Sequence, residues 1–533
     1  MSAITDSDPR MLLAGLAGFI TISYYLLNHV IFPHDPREPP LAPQSIPFIG
    51  HLIGMSRRTF RYYQDLSQKI DSPIFTLPMP GQKMYIITKP ELVHEALKQY
   101  KILAWPPIAI KFSAAVCGTG KETDKLLMDS VTTGSGFAAE IFTTLHAALK
   151  PGPNLDDMNR IMIGELAREL DEIHQPPLAG ERPWAPRVSL YEWTRKLITV
   201  ATTRSVFGPL NPYDDPENAK AFWEFERNIL SLVLGLPRML AQKPIAAREK
   251  LAKAFVEYYK AGGHEKGSVL TRNRHDVATG GGISLEDVAR FEVGGTMALI
   301  ANTLPATFWM LCFVYSHPGL LEELREEIDA CVKTTLDTDC KVCKTIDITT
   351  VKSQCPLLVS TYQEMLRHRS MTTSVRQVEQ DTYLDKWLLK KGALVQIPGY
   401  VIHNDPSVWG SNCHEFDPRR FLAEEKGNRP RAVAFRAFGG GKTLCPGRHF
   451  VTNEILTVAA LFAARFDMKP VGGEWKLPSI DNSPIAGAVL NPDNDIDVEI
   501  TLRGGMEGVK WNVSLETSEK VFAMVTEDVE NEE

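Results

Sequence analysis

Neither sign of charge dominates this sequence. Its 533 residues carry 58 Lys and Arg against 65 Asp and Glu, a net charge of −7, so the basic excess that marks a nucleic-acid partner is absent and none is expected. Cysteine is scarce as well. Eight cysteines at irregular spacing do not make the disulfide framework of a small secreted domain. The one Cys-x-x-Cys, Cys340 to Cys343, has no second pair to complete a zinc site and reads as a surface loop. Internal repeats are missing, which excludes solenoids and propellers. No Gly/Ser-rich linker divides the chain. What remains, 44% hydrophobic and 23% charged, is globular composition with enough apolar mass for a large core.

Charge is also missing locally. From Met11 to Pro33 no residue is formally charged, and Leu12, Leu13, Leu16, Phe19, Ile20 and Leu26 make the stretch strongly apolar. Roughly 20 such residues at about 1.5 Å each cross a bilayer core. Asp6, Asp8 and Arg10 precede it and Arg37, Arg57, Arg58 and Arg61 follow it, which places the rest of the chain in the cytosol. We therefore expect a membrane anchor over 1–32, with membrane lipid as a partner. The competing reading is a cleaved signal peptide, disfavoured by the acidic flank and the length of the run. A proline-rich hinge follows over 33–48, then a globular domain over 49–510 and an acidic tail over 511–533.

Within the globular part the pattern is mainly α with small peripheral β-sheets. Apolar spacing predicts helices near 57–70, 155–174, 188–207, 217–234 and 244–260, and a long one over 284–315. Strand-like runs appear at 74–77, 84–88, 387–390, 393–397 and 495–503. The run Ile229, Leu230, Leu232, Val233, Leu234, Leu236 and Met239 is either core or a surface that dips into the membrane.

The chemistry concentrates in residues 435–456, where a glycine-rich turn places Cys445 just before an apolar helix. Helix N-terminal N–H groups lower a cysteine pKa and hydrogen-bond its sulfur, so a thiolate is expected. Such a thiolate pushes electron density onto a haem iron and favours O–O cleavage. Glycines 439, 440, 441 and 447 permit close approach of a flat macrocycle, and Phe438 offers it an aromatic face.

Phe438-x-x-Gly441-x-x-x-Cys445-x-Gly447 resembles the haem-binding loop of cytochrome P450 enzymes. Two further segments carry the same resemblance. Glu364-Met-Leu-Arg367 is similar to the family's Glu-x-x-Arg helix, and Phe416-Asp-Pro418-Arg-Arg420-Phe421 to its Phe-x-Pro-x-Arg-Phe. The resemblance implies the cytochrome P450 fold behind a single N-terminal transmembrane helix. It also implies haem b, Cys445 as the metal ligand, cofactor contacts from Phe438, Gly441 and Gly447, and a structural cluster of Glu364, Arg367 and Arg420. Arg376 matches a position that commonly binds a haem propionate. The usual Arg two residues before the cysteine is Thr443 here, and the usual Trp-x-x-x-Arg is missing, so His146 or Lys150 is expected in that role. The same Glu-x-x-Arg spacing at Glu165/Arg168, Glu224/Arg227 and Glu322/Arg325 reads as solvated helix faces.

The long helix ending at Ser316-His-Pro318 corresponds to the family's distal helix, which usually carries an acid followed by a threonine. Those positions are Ala301 and Asn302, followed by Thr303, and we take all three as candidate catalytic residues. Ala301 through Trp309, Ala247 through Ala252 and Gly487 through Arg503 are similar to the cholesterol and oxysterol 7α-hydroxylase and prostacyclin synthase group. Asn302 is expected either to hold water or peroxide through its amide or to stabilise a kink beside Pro305. The resemblance implies monooxygenation of a bulky, lipophilic, steroid- or terpenoid-like substrate, in secondary metabolism. Electrons would come from NADPH–cytochrome P450 reductase at the endoplasmic reticulum membrane. Arg419, Arg420, Lys426, Arg429, Arg431, Arg436, Lys442 and Arg448, against Glu424 and Glu425, form either a basic surface for that acidic partner or a plain solvated face, with Arg420 itself expected to be buried. Two alternatives stay open: a reductase-independent haem-thiolate isomerase or dehydratase, and a non-catalytic haem- or lipid-binding membrane protein.

Overall fold

The computed structural model describes Gly18 and residues 34–44, 46, 49–133, 136–173, 187–336, 341–422, 432–484 and 487–517. The expected anchor apart from Gly18, Cys340, the charged residues between 424 and 431, and Glu527–Glu533 lie outside the described residues. The chain divides into two compact units. One comprises the chain up to Ala104 with Ser374–Val401; the other comprises Trp105–Thr373 and everything from Ile402. The first unit is discontinuous in sequence, so no linker composition marks its borders.

In the first unit, β1 (Ile74–Met79) and β2 (Gln82–Ile87) form an antiparallel hairpin pairing Ile74 with Ile87 and Met79 with Gln82. Gly81, at φ +70°, makes the turn possible. With β3 (Leu103–Ala104), β4 (Thr373–Val378) and β5 (Leu394–Pro398), the sheet order is β1-β2-β5-β4-β3. Alternation along β1 and β2 sends Phe75, Leu77, Met84 and Ile86 to one face, where they pack with Tyr63, Leu66 and Val401. Full burial of each such side chain contributes about 1.5–3 kcal/mol. The proline-rich segment is docked against this sheet and is no free spacer. Thr76 donates its N–H to Pro40 O at 2.8 Å and its hydroxyl to Pro39 O at 2.7 Å, and Ala42 N–H donates to Thr76 O at 2.9 Å. Glu38, 2% exposed, accepts from Lys83 Nζ and from the Tyr85 hydroxyl, each at 2.7 Å. Prolines that cannot extend a sheet thus cover its edge.

The second unit is helical. The expected helices appear at Pro153–Glu172, Leu190–Phe207 and Gln242–Lys260. The one expected over 217–234 is split into Pro216–Arg227 and Ile229–Val233 by Asn228, whose amide donates to Glu224 O at 2.8 Å. Five helices position the site: α1 (Phe137–Leu149), α2 (Leu285–Ile300), α3 (Thr303–Ser316), α4 (Pro356–Arg369) and α5 (Arg448–Arg465). Every residue of α3 from Thr303 to Val314 is buried, and α3 packs on α4, α5 and the Leu190–Phe207 helix. A helix apolar on all sides belongs in a core. The stretch Leu285–Ser316 is long and apolar enough to cross a membrane, but most of it is buried within the protein.

The expected long helix is interrupted at Ala301–Asn302. Both residues keep right-handed helical dihedrals, with φ −65° and −94°. Pro305 has no N–H to offer the Ala301 carbonyl, which loosens the turn there. Two small sheets complete the unit. Asp497–Leu502 lies between Phe466–Pro470 and Arg187–Ser189, and Val342–Asp347 lies between Lys510–Ser514 and Lys333–Leu336. The expected tail boundary at 510/511 therefore falls inside a strand. Cys343, expected on a surface loop, is 7% exposed within that sheet, because strand alternation turns it inward.

Candidate active site

The loop before α5 folds through its glycines. Gly439 at φ +81° and Gly441 at φ +60° adopt the left-handed conformation that disfavours a side chain. The turn is closed by Cys445 N–H donating to Phe438 O at 3.0 Å and Leu444 N–H to Gly441 O at 3.1 Å. Thr443 serves the same turn, its hydroxyl donating to Gly440 O at 3.1 Å. Phe438, Cys445 and Gly447 are partly accessible, whereas Ala437, Leu444 and His449 around them are buried. Gly447 has an ordinary φ of −83°, so backbone strain does not require glycine there. A Cβ at Gly447 would meet nothing nearer than Cys445 Sγ at 4.0 Å, so the position opens space beside the sulfur.

The Cys445 thiol departs from its expected titration. Burial pushes its pKa up, and this outweighs the opposing pull of the Gly447 N–H, the Arg448 charge and the Arg448 N–H. The helix-terminal groups are where the sequence put them, but desolvation is the larger effect. Thiol, aromatic ring and open glycine on one partly accessible loop are a donor set suited to a planar macrocycle with a soft-ligand metal.

His146, at the end of α1, lines a cleft of about 330 Å³ with Lys150, Pro151, Pro446 and Arg448. Burial and the Arg448 charge push the imidazole pKa down, so His146 is neutral and Lys150 and Arg448 bring the positive charge. Anionic groups on a macrocycle beside Cys445 would find cations here. Arg376 lies on β4, 1% exposed, and burial lowers its pKa.

Glu364 and Arg367 face each other one turn apart on α4, fully buried, with Arg367 Nε and Nη2 each 2.7 Å from the carboxylate. Arg420 Nε donates to Glu364 Oε1 at 3.1 Å, as does Asp417 N–H. The remaining guanidinium N–H groups are satisfied by carbonyls: Arg367 by His403, Cys413 and Glu415, Arg420 by Trp409, Asn412 and Glu415. The look-alike pairs differ. Arg168 is 43% exposed in a surface network with Glu165, Glu169 and Glu172. Arg325 does not lie on a solvated face. It turns inward to Asp467 Oδ1 at 2.6 Å and to the Ala463 and Phe466 carbonyls.

His403 had no signal in the sequence. Its Nε2 accepts the Arg436 N–H at 2.8 Å, which puts the imidazole proton on Nδ1. Burial, reinforced by Arg367 and Arg436, pushes its pKa down to about 3. Arg436 is 3% exposed, and so drops out of the expected basic surface. Among the described members of that surface, Arg420 is committed to Glu364 and Arg419 pairs with Glu323, leaving Lys442 exposed and Arg448 bonded to Cys445 O.

On the distal helix, Ala301 and Asn302 are partly accessible between buried Ile300 and Thr303. Thr303 donates its hydroxyl to Leu299 O at 2.9 Å, and so serves the helix. Asn302 Oδ1, expected to meet water or peroxide, accepts instead from Ala488 N–H at 2.8 Å and Val489 N–H at 3.3 Å.

The cytochrome P450 family model matches residues 270–499. Cytochrome P450 monooxygenase nodJ of Hypoxylon pulicicidum is 36% identical over 501 residues, covering 92% of this chain and 95% of that one. The chain belongs to the cytochrome P450 family. It is a cytochrome P450 monooxygenase, and its cofactor is haem b. More distant relatives include Cytochrome P450 7B1 of Mus musculus, 25% identical over 86% of this chain and 90% of that one. Cholesterol 7-alpha-monooxygenase of Cricetulus griseus is 24% identical over 89% and 96%. Among solved structures, retinoic acid-bound cyanobacterial CYP120A1 superposes with a TM-score of 0.66 at 18% identity, covering 87% of this chain and 100% of that one, a likeness of fold.

Proposed function

We propose that this P450 inserts oxygen into a bulky lipophilic substrate, steroid- or terpenoid-like, with electrons from NADPH–cytochrome P450 reductase at the cytosolic face of the endoplasmic reticulum membrane. The observation that carries the reading is the Cys445 thiol, presented with Phe438 on a partly accessible loop at the start of α5. Haem, when bound there, supplies the iron at which dioxygen is activated. Cys445 is its ligand, Phe438, Gly441 and Gly447 form its bed, and His146, Lys150, Arg376 and Arg448 are the candidates to meet its carboxylates. Ala301 and Asn302, partly accessible at the interruption of the distal helix, are the candidates on that helix to border the reacting atoms, whereas the Thr303 hydroxyl is spent on Leu299 O. Glu364, Arg367 and Arg420 act on the loop as scaffold, not on substrate. The names of the relatives, a fungal monooxygenase and a cholesterol 7-alpha-monooxygenase among them, favour a secondary metabolite of sterol-like bulk.

Membrane attachment is supported by the uncharged stretch from Met11 to Pro33 and by Leu234, Met239 and Leu240, which are 64%, 81% and 69% exposed. Of the apolar run there, Ile229 and Leu232 are core and the rest is surface. Incubation of the purified enzyme with reductase, NADPH and isotopically labelled dioxygen over a panel of sterols and terpenoids tests the proposal. Labelled product that requires both NADPH and reductase supports it. Product formed equally without them assigns the enzyme isomerase chemistry instead.

A further inference from the structure

The contacts of Asn302 reach beyond the distal helix. The segment Gly487–Leu490 is held from several sides. Asn302 Oδ1 accepts the N–H groups of Ala488 and Val489 at 2.8 and 3.3 Å. Ala488 O in turn accepts from Met371 N–H at 2.8 Å, and Leu490 N–H donates to Arg369 O at 2.8 Å. Leu490 O accepts the indole N–H of Trp309, on α3, at 2.6 Å. Thr372, next to Met371 in the chain, donates its hydroxyl to Ala437 O at 2.9 Å, so the Met371–Thr372 backbone carries the link onward. Ala437 immediately precedes Phe438. One extended segment therefore joins the interrupted turn of the distal helix to the loop that carries Cys445.

We propose that Asn302 is a positioning residue: its side-chain carbonyl fixes the Gly487–Leu490 segment beside the cysteine loop, and that segment sets how a ligand approaches the iron. The inference rests on the site assignment above and deepens it. A helix residue here normally spends its side chain on its own turn or on solvent. Asn302 spends its acceptor on two backbone donors 186 and 187 residues away. The N–H of Ala488 points at Asn302 while its carbonyl is taken by Met371, so loss of the amide oxygen frees one edge of the segment and leaves the other attached. Pro305 contributes by removing the N–H that would bond the Ala301 carbonyl, which loosens the turn around Asn302 while its backbone stays helical.

Two isosteric variants separate acceptor from donor. Asn302→Leu removes both functions of the amide, whereas Asn302→Asp keeps the oxygen and removes the NH₂ donor. The haem-loaded proteins are compared by hydrogen–deuterium exchange of the peptide spanning 487–490 and by titration with 4-phenylimidazole, followed in the haem absorption band. Neither readout uses substrate or NADPH, so the result stands apart from whether the enzyme is a monooxygenase. A lost pair of hydrogen bonds should speed exchange at Ala488 and Val489 roughly tenfold in the Leu variant and weaken 4-phenylimidazole about as much. The Asp variant should match the parent in both. Asn302→Ala replaces the Leu variant if that protein does not load haem. Unchanged exchange in the Leu or Ala variant overturns the proposal. So does faster exchange with unaltered 4-phenylimidazole affinity, since the segment would then not shape the approach. An Asp variant that keeps protection but loses the probe would assign the role to the NH₂ donor and also overturn it.

Discussion

Removal of the Glu364 carboxylate should cost the protein its haem site without any loss of a group that touches haem. The carboxylate accepts four hydrogen bonds: two from Arg367, one from Arg420 and one from the Asp417 N–H. Glu364→Ala leaves two guanidinium groups without their counter-charge, Arg367 fully buried and Arg420 with a side chain only 8% exposed. Breaking a buried ion pair from one side costs about 3–5 kcal/mol, because the partner's charge stays buried and uncompensated. That is roughly a hundred- to several-thousandfold in the folding equilibrium, a large part of a typical domain's total stability. The remaining carbonyl bonds of Arg367 and Arg420 moderate the loss toward the lower end. Expression of the variant should yield little protein whose reduced carbon monoxide complex shows thiolate ligation, and what forms should melt well below the parent. Glu364→Gln, which still accepts hydrogen bonds but carries no charge, should fall between. A Glu364→Ala protein that loads haem fully and melts with the parent would refute the argument.

Three further outcomes follow from other residues. Cys445→Ser should fold yet lose the thiolate signature in the reduced carbon monoxide spectrum; retention of that signature would remove Cys445 as ligand. Glu454, on α5, is fully buried and accepts from the Thr202 hydroxyl at 2.5 Å, and burial pushes its pKa up to about 8. The folded state thus holds a proton that the unfolded chain releases near pH 4.5, so the stabilisation is complete below that pH and is lost as pH rises toward 8. Between pH 6 and 8 this amounts to about 2 kcal/mol, and Glu454→Gln should abolish that part of the pH dependence of melting; identical slopes for parent and variant would contradict it. Deletion of residues 1–32 should move much of the enzyme to the soluble fraction while turnover with reductase persists; full retention on membranes would assign attachment to the exposed Leu234–Leu240 surface.

What the sequence made legible and what it hid divide along chain distance. The cysteine loop is contiguous, and its glycines, aromatic ring and following helix report on one another within a dozen residues. Glu364 and Arg367 were separable from Glu165 and Arg168 through their distance upstream of Cys445 and the company of Phe416, Arg420 and Phe421. Burial then explains the choice, since Arg168 lies in an exposed network and Arg367 does not. Helices with strong apolar periods emerged within a few residues of their expected ends. The interruption at Ala301–Asn302 was foreshadowed by Pro305, but the partner of Asn302 was not, because hydrogen bonds to a backbone N–H leave no mark on residue identity at Ala488 or Val489. The thiol of Cys445 shows a different limit. Its neighbours were read correctly, yet the sign of the pKa shift depends on burial, a property of the whole fold.

The cluster on α4 gains its meaning from what it holds in place. Arg367 Nη1 donates to His403 O at 2.7 Å, and His403 presents its other polar end, Nε2, to the Arg436 N–H at 2.8 Å. Arg436 O accepts the Gly439 N–H at 3.0 Å, and the Phe438 carbonyl just before it accepts the Cys445 N–H at 3.0 Å. A continuous line of hydrogen bonds thus runs from the buried carboxylate of Glu364 to the backbone of the cysteine. Each link is directional, and those through Arg367, His403 and Arg436 sit among buried residues. His403 can serve this line only as a neutral ring, since protonation would put a donor where an acceptor is needed, and its burial beside Arg367 and Arg436 keeps it neutral. The three charges of the cluster therefore do not make the second unit's core more apolar or better packed. They fix the place of one loop, and a ligand atom fixed in place is what a thiolate-bound metal requires.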